Sequence, residues 1–198
     1  MFADLLAGVA GGPWALPALF ALVFADAVLV VVPGEIAVTA TGALAATTGT
    51  PALTAVIGVA ALAAFCGDAL CYGVGRVVGV ERWRWMRHPR IRSAVDWAGA
   101  RLSRGTATVV FTARFIPFAR LAVNLTAGAT RVPAVRYLVT VAVAATAWAV
   151  YQALVGAAVG SLLPGEPVLA VVLSIAVAIA LGLTIDAAAT RWTGRRSR

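Results

Sequence analysis

Six ionisable side chains lie inside long apolar stretches of this sequence, and they are the groups most able to do chemistry. In chain order they are Asp26, Glu35, Asp68, Arg76, Arg114 and Arg120. A charge at the centre of a lipid bilayer costs roughly 2.5–3.5 kcal/mol on insertion scales. A chain that spans a membrane keeps such groups where they line a cavity, pair with one another or lie near an interface. We therefore expect a functional site to be built from these six.

The two acids nearest the N-terminus suit the movement of a proton. Asp26 and Glu35 are nine positions apart, with a Pro33-Gly34 break between them. Removal from water and a neighbouring negative charge both favour the protonated form of a carboxylic acid. Either acid is therefore a candidate to take up a proton and release it on access to water. The alternative is that Glu35 stabilises the first turn of a helix, since an acid there interacts favourably with the helix dipole.

Two arginines in the second half suit the binding of phosphate. Arg114 and Arg120 flank Pro117, and a break at this proline would let two guanidiniums converge instead of lying along one helix face. Arginine keeps its charge when it is desolvated and forms bidentate hydrogen bonds to phosphate. The alternative is that both arginines form static ion pairs with the acids of the first half or extend to the membrane surface.

Other polar residues nearby are predicted to have structural roles. Asp68, Tyr72 and Arg76 recur at i, i+4 and i+8 on one helix face, and we expect a structural salt bridge for Asp68 and Arg76. In the second half, Asn124 and Thr126 could satisfy broken backbone groups or touch a head group, and we favour the structural role. A neighbouring strip of small residues would let another helix, or a second copy of the chain, approach closely. The strip consists of Gly67, Cys71, Gly75 and Gly79.

The composition indicates which elements must position these residues. The chain of 198 residues is 62% hydrophobic and 12% charged, with a mean hydropathy of +0.94. Soluble domains are about 45–50% apolar and about 25% charged. An ordinary cytosolic globule, a disordered chain and a secreted disulfide scaffold are therefore excluded. We expect one all-α integral membrane domain over residues 1–198.

The lengths of the apolar runs predict four full transmembrane helices and two re-entrant helical hairpins. A full span needs about 20 apolar residues, and four runs meet or approach that length: Trp14–Val32, Ala52–Val80, Tyr137–Leu163 and Val168–Ala189. The segments around Glu35 and Pro117 are shorter and are interrupted by proline and glycine. The N-terminus lacks the basic region of a signal peptide, so we expect the first hydrophobic helix to remain in the mature protein.

The distribution of charge predicts the orientation. All 16 basic residues are arginine and the net charge is +8, with the surplus in the stretch 81–105 and the tail 191–198. Basic loops next to apolar spans are typical of the cytoplasmic side. Both segments are therefore placed there, and the two hairpins enter from opposite sides as an inverted repeat, an architecture typical of transporters. Nucleic-acid binding would also explain the basic surplus, but it is the weaker interpretation, and we expect no nucleic-acid partner.

Three further patterns complete the prediction. Ile91, Val95, Ala98 and Leu102 recur at helical spacing within the basic loop, which favours an amphipathic helix on the membrane surface. Most tryptophans flank span ends and are predicted to be interfacial anchors; the set is Trp14, Trp83, Trp85, Trp148 and Trp192. The two cysteines are five positions apart without a nearby histidine, so we expect packing roles, no metal site and no cofactor.

Three groups of residues together resemble the DedA family, also described as SNARE-associated or VTT-domain proteins. The first is Phe24-Ala25-Asp26 with Pro33-Gly34-Glu35, the second Gly67-Asp68 with Tyr72 and Gly75-Arg76, and the third Phe111, Arg114-Phe115-Ile116-Pro117, Arg120 and Ala127-Gly128. The resemblance extends from about Phe24 to Gly160. The chain departs from the family pattern at Asp26, where Glu is common, and at Phe118, where Gly is common.

The resemblance implies a lipid transporter of the bacterial cytoplasmic membrane with two opposed re-entrant hairpins. Family members are associated with moving undecaprenyl phosphate, or phospholipids such as phosphatidylethanolamine, between leaflets, with coupling to the proton motive force or to sodium. The essential acids of the family map to Asp26 and Glu35, and its essential arginines map to Arg114 and Arg120.

Two other classes of function stay open at this point. An ion-coupled antiporter, or a membrane scaffold, would use the same charges without a lipid substrate. An enzyme acting on lipid phosphates has less support, because such enzymes typically need a histidine nucleophile or base. The single histidine, His88, lies in the basic loop. We therefore expect a protein that is not an enzyme.

Overall fold

The computed structural model describes residues 12–29, 34–78 and 119–163, together with five single positions at 110, 169, 172, 173 and 176. The main ranges hold five helices, and no strand occurs in the part of the chain described. The helices are α1 (Ala15–Leu29), α2 (Gly34–Thr48), α3 (Leu53–Val78), α4 (Ala119–Ala129) and α5 (Ala134–Ser161). The predicted all-α class is confirmed for these residues.

Two of the helices are long and apolar enough to cross a membrane, namely α3 and α5. Their 26 and 28 residues correspond to about 39 and 42 Å of helix, more than the roughly 30 Å of a hydrocarbon core. They coincide with two of the predicted spans. Within the described residues, α1 and α2 have 15 residues each and α4 has 11, fewer than the roughly 20 of a full span.

Several sequence-based predictions concern residues outside the described ranges. They are the basic loop 81–105 with its amphipathic helix, the tail 191–198, most of the last apolar run, and the residues Arg114 and Pro117. The total of four full spans and the re-entrant path of the two hairpins therefore stay predictions.

The ends of α2 and α5 follow from local chemistry. The hydroxyls of Thr47 and Thr48 donate to carbonyls one turn earlier, and Gly49 then adopts φ 74°, a conformation that glycine accepts without a Cβ penalty. Pro51 follows, so α2 stops at the turn that the sequence predicts. Pro133 precedes the first residue of α5, where the missing N–H of a proline costs nothing.

The core consists of two clusters at opposite ends of α3 and α5. The first half of α3 packs with the second half of α5, and the second half of α3 packs with the start of α5, so the two helices run antiparallel. The first cluster, which includes α1 and α2, is formed by Leu19, Val23, Val38, Ala45, Val56, Ala60, Ala63, Ala64, Ala145, Trp148, Ala149 and Ala153. The second, which includes α4, is formed by Tyr72, Val110, Val123, Ala127, Tyr137, Val141 and Ala144.

The short helices α2 and α4 each pack mainly on the long helix from the other half of the chain. The closest neighbour of α2 is α5, and that of α4 is α3. Glycines make these crossings possible, because a Cβ at Gly156 would collide with the Thr39 carbonyl oxygen and one at Gly128 with the Tyr72 carbonyl oxygen. Backbone can approach backbone so closely only where side chains are absent.

The structure corrects one anchor prediction and assigns part of the small-residue strip. Trp148 lies in the middle of α5 and is only 3% exposed, so it is a core residue and not an interfacial anchor. Within the strip, Gly67 packs on Ala27 of α1 and Gly75 packs on the Leu125 backbone of α4. These two positions therefore serve helices of the same chain.

Candidate functional site

An acid of the first half meets an arginine of the second half. Arg120, at the start of α4, donates from Nη2 to the Asp26 carboxylate at 2.9 Å and to the Asp26 carbonyl oxygen at 3.0 Å. The two side chains are only 12% and 13% exposed. Most of this ion pair is thus enclosed, although both groups keep some accessible surface.

A second carboxylate approaches the same guanidinium from α3. The Asp68 side chain is 1% exposed, and its Oδ1 lies 3.9 Å from Arg120 Nε. The same oxygen accepts a hydrogen bond from Asn124 Nδ2 at 2.7 Å. Because Asp68 lies between the two core clusters, the charged groups occupy the middle of the bundle.

The start of α2 and the Arg120 side chain of α4 converge on the Asp26 carboxylate. Gly34 begins α2, and a Cβ placed there would lie 2.9 Å from Asp26 Oδ2. Arg120 is the second residue of α4. A helix N-terminus carries partial positive charge, so the start of α2 and the Arg120 guanidinium both favour an anion at this point. The absence of a side chain at Gly34 is what lets the anion approach α2.

Glu35 is placed at the edge of this arrangement. Its side chain is exposed on the protein surface, yet it interacts electrostatically with both Asp26 and Arg120. The backbone carbonyl of Glu35 accepts the Thr39 hydroxyl at 2.9 Å. Glu35 also lies in the first turn of α2, as the helix-capping alternative requires, so its position suits either role.

The prediction of a salt bridge between Asp68 and Arg76 is wrong. Arg76 is exposed and donates to the Tyr72 hydroxyl, while the Tyr72 hydroxyl donates to the Val132 carbonyl oxygen at 2.6 Å. Asp68 instead faces Arg120 and α4. Eight residues of helix rise about 12 Å, which separates the two charges although they share a face.

Of the predicted site residues, five come together and two lie outside the described part of the chain. Asp26, Glu35, Asp68, Arg120 and Asn124 form one group. Tyr72 and Arg76 lie further along α3, towards Val132. The placement of Arg114 and Pro117 stays a prediction.

Sequence reasoning missed Tyr137, whose side chain is fully buried. Its hydroxyl donates to Asn124 Oδ1 at 2.7 Å, and its ring stacks on Tyr72 with centroids 4.3 Å apart. A tyrosine at the start of an apolar run is usually an interfacial residue, so no pattern pointed to it.

The sequence analysis also missed the contact between α2 and α5. Gly156 and Gly160 form a small-xxx-small motif that could have revealed this contact.

The charged group shares one guanidinium among its carboxyl groups. Among the described residues it holds three carboxyl groups and one guanidinium, and Arg120 is shared between Asp26 and Asp68. An arginine shared in this way can release one carboxylate to another anion and still keep one negative partner for its charge.

In the part of the chain described, no cluster of three or more potential metal ligands occurs.

Comparison with known families assigns the chain to a family. The family model of the VTT domain matches residues 32–158, more than half of the chain. The chain belongs to the VTT-domain family. This is the DedA or SNARE-associated family named by the sequence motifs. No curated protein and no solved structure matches the chain.

The VTT domain contains most of the charged group but not all of it. Glu35, Asp68, Asn124 and Arg120 lie within the matched residues, whereas Asp26 is contributed by α1, which precedes the match. Family membership and the two apolar helices α3 and α5 together indicate a membrane protein.

Proposed function

We propose that this VTT-domain protein moves a phosphate-bearing lipid across the bacterial cytoplasmic membrane, with coupling to protons or sodium. The substrate class includes undecaprenyl or another polyprenyl phosphate and phospholipids such as phosphatidylethanolamine. The protein only has to shelter the head group, because the acyl or prenyl chains can stay in the lipid. Such a role suits a small multi-pass protein.

The observation that carries the proposal is the 2.9 Å ion pair between Arg120 and Asp26 at the convergence of α2 and α4. A carboxylate between one guanidinium and the start of a helix occupies a place that also suits a phosphate. Half-helix N-termini that face an anionic substrate group are typical of transporters. In this proposal Asp26 is the internal anion that the lipid phosphate replaces.

The coupling follows from this competition. Protonation of Asp26 removes the charge that holds Arg120, and the free guanidinium can then accept the lipid phosphate. Loss of the proton restores the ion pair and expels the phosphate. Glu35, at the exposed edge of the group, would pass protons to Asp26, and Arg114 would provide a second guanidinium. Asp68 keeps Arg120 in place throughout the cycle.

A liposome assay tests the proposal. Purified protein is reconstituted with a labelled polyprenyl phosphate, a labelled phosphatidylethanolamine or the matched uncharged polyprenol, and transfer between leaflets is followed by chemical quenching. We expect transfer of a phosphate-bearing lipid and none of the polyprenol. Equal transfer of both would contradict the proposal, and so would ion flux that occurs in the absence of any transferable lipid. Release of inorganic phosphate would instead favour the enzyme alternative.

Asp26→Asn gives a test of the coupling step. The amide is nearly isosteric but carries no charge, so Arg120 should bind phosphate more readily while its release no longer depends on a proton. We expect the apparent KM for the phosphate-bearing lipid to fall several-fold and the stimulation by a proton gradient to disappear. The measurement is the initial transfer rate with and without an imposed gradient. Asp96→Asn, in the loop predicted to be cytoplasmic, is the control, and gradient stimulation that survives in Asp26→Asn would refute the coupling mechanism.

A further inference from the structure

A chain of polar contacts between buried side chains leads from Tyr137 to Arg120. The Tyr137 hydroxyl donates to Asn124 Oδ1 at 2.7 Å, and Asn124 Nδ2 donates to Asp68 Oδ1 at 2.7 Å. Asp68 Oδ1 in turn lies 3.9 Å from Arg120 Nε. Tyr137, Asn124 and Asp68 are at most 2% exposed. The three residues come from α5, α4 and α3 and thus connect three helices behind the guanidinium.

The orientation of the Asn124 amide depends on Tyr137. An asparagine amide presents an oxygen acceptor on one side and an NH₂ donor on the other. Of the two acceptors that helices α3 and α4 offer the Tyr137 hydroxyl, Asn124 Oδ1 at 2.7 Å is much nearer than the Asp68 carbonyl oxygen at 3.4 Å. With its oxygen held by Tyr137, the amide must turn its NH₂ towards Asp68. That donor matches a charged carboxylate, which can only accept.

We propose that Tyr137, acting through Asn124, is a positioning residue that fixes the Asp68 carboxylate against Arg120. Of the two described carboxylates that contact Arg120, Asp68 is then the permanent partner and Asp26 the exchangeable one. The difference in exposure supports this division, because Asp68 is 1% exposed and Asp26 is 13% exposed. The inference rests on the proposed function only in that Arg120 is taken to bind the lipid phosphate.

Tyr137→Phe removes the hydroxyl and keeps the ring. Without its donor the Asn124 amide is free to turn, and the Asp68 carboxylate loses its fixed place beside Arg120. We expect the KM for a polyprenyl phosphate to rise about fivefold, the equivalent of one ordinary hydrogen bond, while the maximal rate changes much less. In an Asp68→Asn background the same substitution should have no further effect, since Tyr137 acts through Asp68.

Tyr72→Phe is the matched control. Tyr72 is buried and stacks on Tyr137, and its substitution also removes a part-buried hydroxyl hydrogen bond. The Tyr72 hydroxyl, however, contacts Val132 and Arg76 and not Asn124. A loss of general packing would therefore affect both variants equally. Thermal unfolding of both variants in detergent provides the correction for stability.

A spectroscopic measurement makes the test independent of transport. In protein labelled with ¹⁵N-arginine, the Nε–H signal of Arg120 is assigned from its loss in Arg120→Lys. We expect Tyr137→Phe to shift this signal or to accelerate its exchange with water, and Tyr72→Phe to leave it in place. If both variants change the signal equally, or neither does, the positioning role is wrong. If the wild-type protein transfers no phosphate-bearing lipid, the proposed function fails, and the comparison of signals still decides the role of Tyr137.

Discussion

Arg120→Ala is expected to abolish lipid transfer, with a loss of at least about 100-fold. The substitution removes the guanidinium that would hold the phosphate and leaves the Asp26 and Asp68 carboxylates without their shared partner. Breaking one side of a buried ion pair costs about 3–5 kcal/mol, which corresponds to roughly two to four orders of magnitude in an equilibrium. The measurement is the initial rate of head-group transfer in liposomes.

Two variants separate loss of function from loss of fold. Arg120→Lys keeps the charge but not the planar fork, so we expect a folded protein with strongly reduced transfer. Arg136→Ala removes an exposed arginine from α5 and should behave like the wild type. Arg114→Ala is expected to resemble Arg120→Ala, as the sequence motif predicts. Unchanged transfer in both Arg114→Ala and Arg120→Ala would rule out phosphate binding by these arginines.

Gly156→Ala is expected to destabilise the fold strongly through backbone overlap alone. Its new Cβ would overlap the Thr39 carbonyl and the Ala43 backbone, and backbone atoms cannot move aside as a side chain can. Overpacking typically costs 1–3 kcal/mol, and the backbone contact places this variant at the upper end. A loss of about 3 kcal/mol should lower the unfolding temperature by roughly 10 °C, measured in detergent together with the yield of monodisperse protein.

Gly58→Ala is the matched control for that experiment. Gly58 is also helical, but a Cβ there meets nothing within 4 Å. Replacing an interior helix glycine with alanine favours the helix by roughly 0.5–1 kcal/mol, so this variant should be as stable as the wild type or slightly more stable. If Gly156→Ala unfolded at the same temperature as Gly58→Ala, the close α2–α5 crossing would be absent in the membrane.

The sequence predicts the helices well because apolar runs and proline or glycine breaks are local features. The helices α3 and α5 and the end of α2 at Gly49 lie close to where the pattern places them. The ion pair between Arg120 and Asp26 joins groups 94 positions apart, and it was foreseen only as one of several pairings, because charge alone does not choose a partner.

The remaining features depend on three-dimensional packing, which periodicity does not encode. The shared helix face of Asp68 and Arg76 suggested a contact, but the rise of the helix separates them and α4 supplies the partners of Asp68. Trp148 was assigned to an interface because of its residue type, whereas the neighbouring helices bury it. Tyr137 contributes through its hydroxyl to a network of three helices, and no local pattern signals such a contact.

The packing of α2 on α5 and of α4 on α3 has a consequence for biosynthesis. The main contact of α2 is with α5, which the ribosome produces more than 100 residues later, as the approach of Gly42 to the Ala153 backbone illustrates. Until α5 is made, the face of α2 that carries Gly42 therefore has no packing partner from the second half. The charged centre is completed only when the second half arrives, so separately expressed halves should be inactive alone and should regain activity when they are produced together.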